Sequence, residues 1–372
     1  MKTNSNTTSQ KPLPQGETKQ TLRLVAWETT RNCNLACVHC RASATRGPFS
    51  GELDTGAAFR LLDQVAQVGN PIIILTGGEP LLRTDIFDIA KYGTDRGLSM
   101  VMAPNGTMIT ENIARQMADA GIQRISISLD GATQIRHDRF RGVDGAFDGA
   151  LQGIRLAKDA GIKFQINTTI TKTNLLELPK IQDLALALGA VAHHIFLLVP
   201  TGRGKYILDQ EITAEEYERT LSWLYDQRKR TPLQLKATCA PHYYRIFRQR
   251  AKKDGEPVTF NTHGMDAVTR GCLAGTGFCF ISHRGIVQPC GFLDVNCGDI
   301  TRESFADIWN HSDILLSLRN FKGLKGKCGK CEFKNVCGGC RARAFEATGD
   351  FLAEEPLCSY QPRSLTPNQS IA

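Results

Sequence analysis

The chain has 372 residues, 41% hydrophobic and 22% charged, with 34 Gly and 15 Pro. That balance excludes collagen, coiled coil and wholesale disorder, and at this length a domain of roughly 200 residues with a smaller companion is the natural expectation. Two counts are unusual: thirteen Cys and a formal net charge of +8.

Residues 1–20 are polar and read as a disordered tail. They lack the apolar stretch of a secretory signal, and no run approaches the roughly eighteen apolar residues of a membrane span. A cytoplasmic protein without membrane contact is expected, and in that reducing compartment clustered cysteines favour metal over disulfides.

Beyond the tail, β-branched runs alternate with segments of helical period. Strands are predicted over 22–28, 72–75, 98–103, 124–130, 163–170 and 193–200, with helices over 54–69, 111–120, 146–160, 174–188 and 213–229. Such alternation predicts an α/β fold, a parallel sheet covered by helices. Six units in about 200 residues suit a partial (β/α)6 TIM-type barrel over 21–232, with its chemistry on the loops after the strand C-termini. A basic bridging segment follows at 233–270. Residues 271–361, rich in Gly and Cys with one predicted helix at 303–319, form a module expected to be held by metal, and 362–372 is a C-terminal tail.

The loop after the first strand carries Cys33, Cys37 and Cys40. Three thiolates at these spacings can hold three corners of an iron–sulfur cubane and leave one iron open; a zinc site completed by His39 is the alternative on this motif alone. The second strand ends in TGGEP, where Gly77 and Gly78 allow close backbone approach and Glu79 offers a carboxylate. Polar residues at other strand ends, Asn105, Ser126, Ser128, Asp130, Asn167 and Thr168, fit ligand contacts or ordinary turns and caps.

Over 22–200 the chain resembles the radical S-adenosylmethionine (SAM) enzymes, whose hallmarks are CxxxCxxC after the first strand and GGEP after the second. The resemblance implies that Cys33, Cys37 and Cys40 ligate a [4Fe-4S] cluster whose open iron is chelated by the methionine moiety of S-adenosylmethionine. Gly77, Gly78, Glu79 and Pro80 would hold the methionine amine. Asn105, Ser128 and Asp130 would meet ribose and adenine, and His39 takes the place of the usual aromatic beside the adenine.

Nine further cysteines lie in 272–358. Their CxxC pairs read as zinc ribbons or, beside such a barrel, resemble the SPASM auxiliary-cluster domain. Carried over by position, Cys272, Cys279, Cys290 and Cys340 would ligate one auxiliary [4Fe-4S] cluster and Cys328, Cys331, Cys337 and Cys358 the other. The chain departs from the family in having two residues between Cys337 and Cys340 where three are usual. Cys239 and Cys297 are left over.

Residues 225–253 hold nine Lys and Arg against one acid, Asp226, an excess equal to that of the whole chain. No nucleic-acid motif accompanies them. Because Arg binds carboxylates bidentately, a polycarboxylate small molecule is a better expectation than nucleic acid, and a solvated helix with an ordinary positive face is the alternative. The segments LRLVAWETTRNCNLACVHCRA, LVPTGRG and KATCAPHYYR together resemble the haem b synthase branch, which decarboxylates Fe-coproporphyrin III in the sirohaem-derived route. Relatives in haem d1 formation and on didecarboxysirohaem place Asn and Tyr where this chain has Glu28 and Arg41. The resemblance implies an iron porphyrin substrate, radical hydrogen abstraction from a propionate β-carbon, and an electron donor such as a flavodoxin or ferredoxin. Arg203, Cys239, His242, Tyr243 and Arg245 are the expected substrate contacts. A peptide-modifying maturase is the rival, lowered by the brevity of 1–20; a non-catalytic carrier would leave GGEP unexplained.

Overall fold

The computed structural model describes residues 21–365; the tail expected over 1–20, like residues 366–372, lies outside the described residues. All six predicted strands form, as β1 (Leu24–Glu28), β2 (Ile72–Thr76), β3 (Ser99–Met102), β4 (Arg124–Ser128), β5 (Lys163–Ile170) and β6 (Ala192–Leu197). Between them run α1 (Thr55–Val68), α2 (Ile86–Asp95), α3 (Glu111–Asp119), α4 (Gln134–Arg141), α5 (Ala146–Asp159) and α6 (Leu178–Leu188), followed by α7 (Ala214–Gln227). Local chemistry sets the boundaries. Asp54 and Thr110 cap α1 and α3 through their side chains, and Thr213 with Glu216 forms a capping box on α7. Gly189 ends α6 at φ 86°, a left-handed turn that glycine adopts without strain.

The sheet is larger than six strands. A seventh parallel strand, β7 (Gln234–Thr238), pairs with β6 inside the segment expected to be a bridge, and α8 (His242–Lys253) follows it. Only Leu235 and Ala237 of β7 are apolar, so the strand carries almost no hydrophobic signal. On the other edge β8 (Phe278–Ile281) from the Cys-rich region lies parallel to β1, and β9 (Ile286–Gln288) and β10 (Gly298–Asp299) continue antiparallel. The order β10-β9-β8-β1-β2-β3-β4-β5-β6-β7 thus makes one sheet across barrel and Cys-rich region. The helix predicted at 303–319 is two, Phe305–His311 and Asp313–Arg319, because Ser312 between them is extended. The expected C-terminal tail begins with a helical turn, Arg363–Leu365, whose Ser364 hydroxyl donates to the Lys330 carbonyl.

Strand parity sorts the side chains. Val25, Trp27, Ile73, Leu75, Met100, Met102, Ile125 and Ile127 face the helices in one large core, and Ile195 and Ala237 face α7 and α8 in a second. Their strand neighbours therefore face the barrel interior: Ala26 and Glu28, Ser126 and Ser128, Gln165 and Asn167, His194 and Phe196, Lys236 and Thr238. The C-terminal ends of these strands form the mouth on which the site is built.

Candidate active site

Cys33, Cys37 and Cys40 stand together on the β1–α1 loop, packed with Leu35, Ala42, Ala44 and Ala146. Cys33 N–H bonds to the Thr45 carbonyl at 3.0 Å, which closes the loop. Each sulfur has an N–H donor: Leu35 N at 3.4 Å from Cys33 Sγ, Ala44 N at 3.4 Å from Cys40 Sγ, and Arg141 Nη1 at 3.6 Å from Cys37 Sγ. Donors aimed at sulfur suit thiolates bound to iron, since hydrogen bonds to the sulfurs stabilise the charge and tune the potential. Without metal, burial, and then the nearby Glu79 carboxylate and fellow thiols, push the Cys33 thiol up to about 11.

The tandem glycines act on this loop. A Cβ on Gly77 would stand 2.5 Å from the Thr30 carbonyl oxygen and one on Gly78 2.4 Å from that of Asn32. In that space Gly78 N and Glu79 N each donate to those same carbonyls at 2.7 Å. So the glycines bring the strand end against the cysteine loop, where the sequence alone pointed to close approach to a ligand. Glu79 is fully buried; its Oε2 accepts from Asn105 N at 2.6 Å and its Oε1 from Leu81 N at 3.0 Å, in the turn begun by Pro80. Burial outweighs these two bonds and raises its carboxyl to about 7, the condition of a group awaiting a cation.

Of the remaining expected contacts, Ser128 faces the interior at the end of β4, and half-buried His39 stacks on Phe140 with centroids 4.3 Å apart. Burial, then Arg141 and Arg203, keep His39 neutral. Asn105 is committed: its Nδ2 donates to Asn34 at 2.7 Å and its Oδ1 accepts from Thr107. Asp130, expected to meet ribose or adenine, is engaged within the protein: one oxygen accepts from Thr169 N at 2.7 Å and the other pairs with Arg141. Through Arg141 it reaches Cys37, a relay the sequence did not signal. Glu28 and Arg41, the two departures from the haem d1 relatives, form an ion pair at 2.6 Å. Burial would raise the Glu28 carboxyl, but the hydrogen bond with His283 and the Arg41 and Arg31 charges bring it down to about 2.

The basic segment is not a free positive face. Arg228 pairs with Asp266 at 3.1 Å, Lys229 with Asp254 at 3.4 Å, and Arg250 with Asp226 at 2.6 Å, while Arg248 donates to the Ala267 carbonyl. The acids that answer this charge lie mostly beyond its ends, which is why a window over 225–253 missed them. Arg245, 3% exposed, bonds Glu218 at 2.9 Å and lies over the Tyr360 ring. Arg203 donates to the Cys37 and Ala44 carbonyls, both at 2.7 Å. Tyr243 is buried among Tyr244 and Phe247, and His242 is buried edge-on to Tyr217. In this structure these four side chains, the expected substrate contacts, are engaged with other parts of the protein.

Cys328, Cys331, Cys337 and Cys358 line one cavity together with His242 and Arg245. Among the described residues neither ring nitrogen of His242 has a hydrogen-bond partner, and burial lowers its pKa to about 4, so a neutral imidazole borders the space these thiols enclose. The donor set and its enclosure fit a cluster held by four thiolates. Among the other five, Cys290 and Cys340 belong to one packed group with Cys239, and Cys272 acts electrostatically on all three. Cys279 is the exception. On β8, paired with Val25, it faces the large core, and the thiol acting on it is Cys297. Strand parity places it away from the group to which spacing assigned it. Between the two sulfur-rich regions lies Arg343, 2% exposed, bonding the Cys239, Leu197 and Leu198 carbonyls and Glu355.

Residues 27–185 match the radical SAM superfamily and residues 272–341 match SPASM, an iron–sulfur cluster-binding domain. The fold is shared with Streptococcus suis SuiB bound to S-adenosylmethionine, at a TM-score of 0.72 and 18% identity over 92% of this chain and 78% of that one. It is shared also with anSMEcpe bound to AdoMet and Cp18Cys peptide, at a TM-score of 0.64 and 18% identity over 87% of this chain and 89% of that one. The chain is a radical SAM enzyme with a SPASM domain, and its cofactors are a [4Fe-4S] cluster, S-adenosylmethionine and auxiliary iron–sulfur clusters.

It is 56% identical to the AdoMet-dependent heme synthase of Nitratidesulfovibrio vulgaris over 93% of this chain and 95% of that protein. The protein of the same name from Methanosarcina barkeri is 54% identical over 91% of this chain and 97% of its own length. The chain belongs to this family. The Fe-coproporphyrin III synthase of Methanosarcina barkeri stands further off, 30% identical over 90% of this chain and 87% of that protein.

Proposed function

We propose that the chain converts Fe-coproporphyrin III to haem b in the cytoplasm, turning two propionates into vinyl groups at the expense of two S-adenosylmethionines. The observation that carries this reading is identity of 54% to 57% with AdoMet-dependent heme synthases along nearly the whole chain, against 30% with a Fe-coproporphyrin III synthase and with the mycofactocin maturase MftC. When bound, the reduced cluster and S-adenosylmethionine supply a 5′-deoxyadenosyl radical. On the substrate, a propionate that gives one hydrogen atom from its β-carbon becomes a vinyl group on losing CO2 and one electron.

The chain's own residues suit that task. Glu79 offers a buried carboxylate to the methionine ammonium, and the glycines fix it against the cysteine loop. Ser128, Asn167, His194 and Lys236 line the interior of β4 to β7 with polar groups, and β7 brings in Lys236, on which the attractive charge among the described residues is Asp266. A half-buried cation in a polar interior suits a propionate carboxylate. The released electron would leave through the SPASM sulfur sites, and a flavodoxin or ferredoxin would reduce the catalytic cluster.

The test is anaerobic reconstitution with iron and sulfide, then S-adenosylmethionine, reductant and Fe-coproporphyrin III, with products read by mass. Two successive losses of CO2 plus two hydrogens are expected. Formation of 5′-deoxyadenosine with unchanged porphyrin sinks the substrate assignment and leaves the peptide-modifying alternative, to which the 30% identity with the mycofactocin maturase MftC points.

A further inference from the structure

SPASM spacing assigns Cys279 to the auxiliary site of Cys272, Cys290 and Cys340, yet the structure puts a different cysteine there. Cys239 follows the last residue of β7 at the barrel mouth. Its side chain packs in the same group as Cys290 and Cys340, together with Leu293 and Phe292. The thiols acting on it electrostatically are Cys340, Cys290 and Cys272, the other three members of that set. Its backbone is in the left-handed region at φ 57°, uncommon for a side chain other than glycine, asparagine or aspartate. The surroundings hold it there: the Cys239 carbonyl accepts from Tyr217 Oη at 2.7 Å and from Arg343 Nη1 at 3.2 Å.

Cys279 has the opposite environment. Fully buried on β8, it lies in the core with Ile281, Leu315 and Trp309, and Cys297 is packed against the same core. For its sulfur to join the other three, β8 would have to turn over, which a one-residue slip against β1 would require and the Leu24–Phe278 to Trp27–Ile281 register opposes.

We propose that Cys239 supplies the fourth thiolate of the first auxiliary iron–sulfur cluster, with Cys272, Cys290 and Cys340, and that Cys279 and Cys297 are not ligands. The inference rests on the SPASM assignment and not on the choice of porphyrin as substrate. Four thiolates leave no iron open, so this cluster passes electrons and does not bind substrate through iron. One ligand then comes from the barrel and three from the SPASM domain, which ties cluster assembly to closure of the interface between them. Arg343 fixes the Cys239 backbone from within the segment that follows Cys340.

The test uses the full chain with Cys33, Cys37 and Cys40 all changed to Ala, reconstituted anaerobically with iron and sulfide. Two auxiliary cubanes give about eight irons per chain in this background. Adding Cys239→Ala is expected to bring iron down to about four and remove one of the two reduced-state electron paramagnetic resonance signals, whereas Cys279→Ala keeps both. Adding Cys239→Ser instead is expected to retain a cluster with shifted g values, which guards against loss of fold in the Ala variant. Full iron and unchanged spectra in both Cys239 variants overturn the proposal, as does loss of a cluster in Cys279→Ala with Cys239→Ala intact. A background that binds no iron refutes the auxiliary-cluster reading itself, a separate outcome.

Discussion

The two kinds of sulfur site in this chain are built in opposite ways. The catalytic loop holds its three cysteines within eight residues of one turn, and two of the three sulfurs take their N–H donors from that same turn. The cysteines proposed for the auxiliary sites come from the end of β7, from the turn after β9 and from segments as far on as Cys358, and four of them line a cavity with His242 and Arg245 of α8. A site made by a local loop is legible as a spacing. A site made by tertiary packing follows strand parity and domain contact, which spacing does not encode.

The largest effect that tests this contrast is Cys33→Ala. Loss of one thiolate from the local loop should abolish S-adenosylmethionine cleavage, while about two thirds of the iron remains in the auxiliary sites, read by iron content and 5′-deoxyadenosine yield. Retained cleavage would refute the assignment of the loop. Next is Gly78→Ala. Its Cβ would press on the backbone oxygens of Arg31 and Asn32 at 2.7 and 2.4 Å, which no side-chain rotation relieves. Displacing the loop by even about 1 Å should cost on the order of a hundredfold in S-adenosylmethionine cleavage, with auxiliary iron unchanged.

What the sequence disclosed follows the same division. All six barrel strands it predicted are present, because each carries apolar residues that pack against the helices behind it. β7 escaped, having two apolar residues, and with it went the true setting of the basic segment, whose arginines answer Glu218, Asp226 and Asp266. Cys33, Cys37, Cys40 and Glu79 stand out in the sequence through two short motifs, and the structure brings those motifs together. Arg141 and Arg343 do not stand out: each is an arginine with no local signal, and each acquires its role from a distant group, Cys37 at 104 residues and Leu198 at 145. Cys279 and Cys239 show the limit most clearly. Chain position favours the first, and only the register of β8 on β1 and the end of β7 show which sulfur stands with the others.

Glu79 gives a smaller, graded effect. Its folded carboxyl titrates near 7, above the ordinary value of 4.5, so the folded chain keeps the proton longer than the unfolded one. Glu79 therefore costs stability progressively as pH rises from about 4.5 through 7, at about 1.4 kcal/mol per pH unit, and gives none of that cost back until a cation binds. Because an ammonium binds the ionised form, affinity for S-adenosylmethionine should rise several-fold from about pH 6 to about pH 8. In Glu79→Gln it should be weaker and flat across the window. An unaltered slope in Glu79→Gln, measured by equilibrium binding to the reconstituted enzyme, counts against Glu79 as the ammonium partner.

The smallest effect bears on a second distant arginine, besides Arg141, on which the local loop depends. Arg203, from the turn after β6, donates to the Cys37 and Ala44 carbonyls at 2.7 Å each, closing the loop from outside. Lysine keeps the charge but cannot span two carbonyls in the fork geometry of a guanidinium. Arg203→Lys should therefore lose about one hydrogen bond, on the order of 1 kcal/mol of loop stability, and slow S-adenosylmethionine cleavage a few-fold. If Arg203 instead anchors a propionate, the same variant would weaken porphyrin binding and leave cleavage unchanged. Separate titrations with porphyrin and with S-adenosylmethionine distinguish the two roles, because a loop clamp acts on the sulfonium side alone.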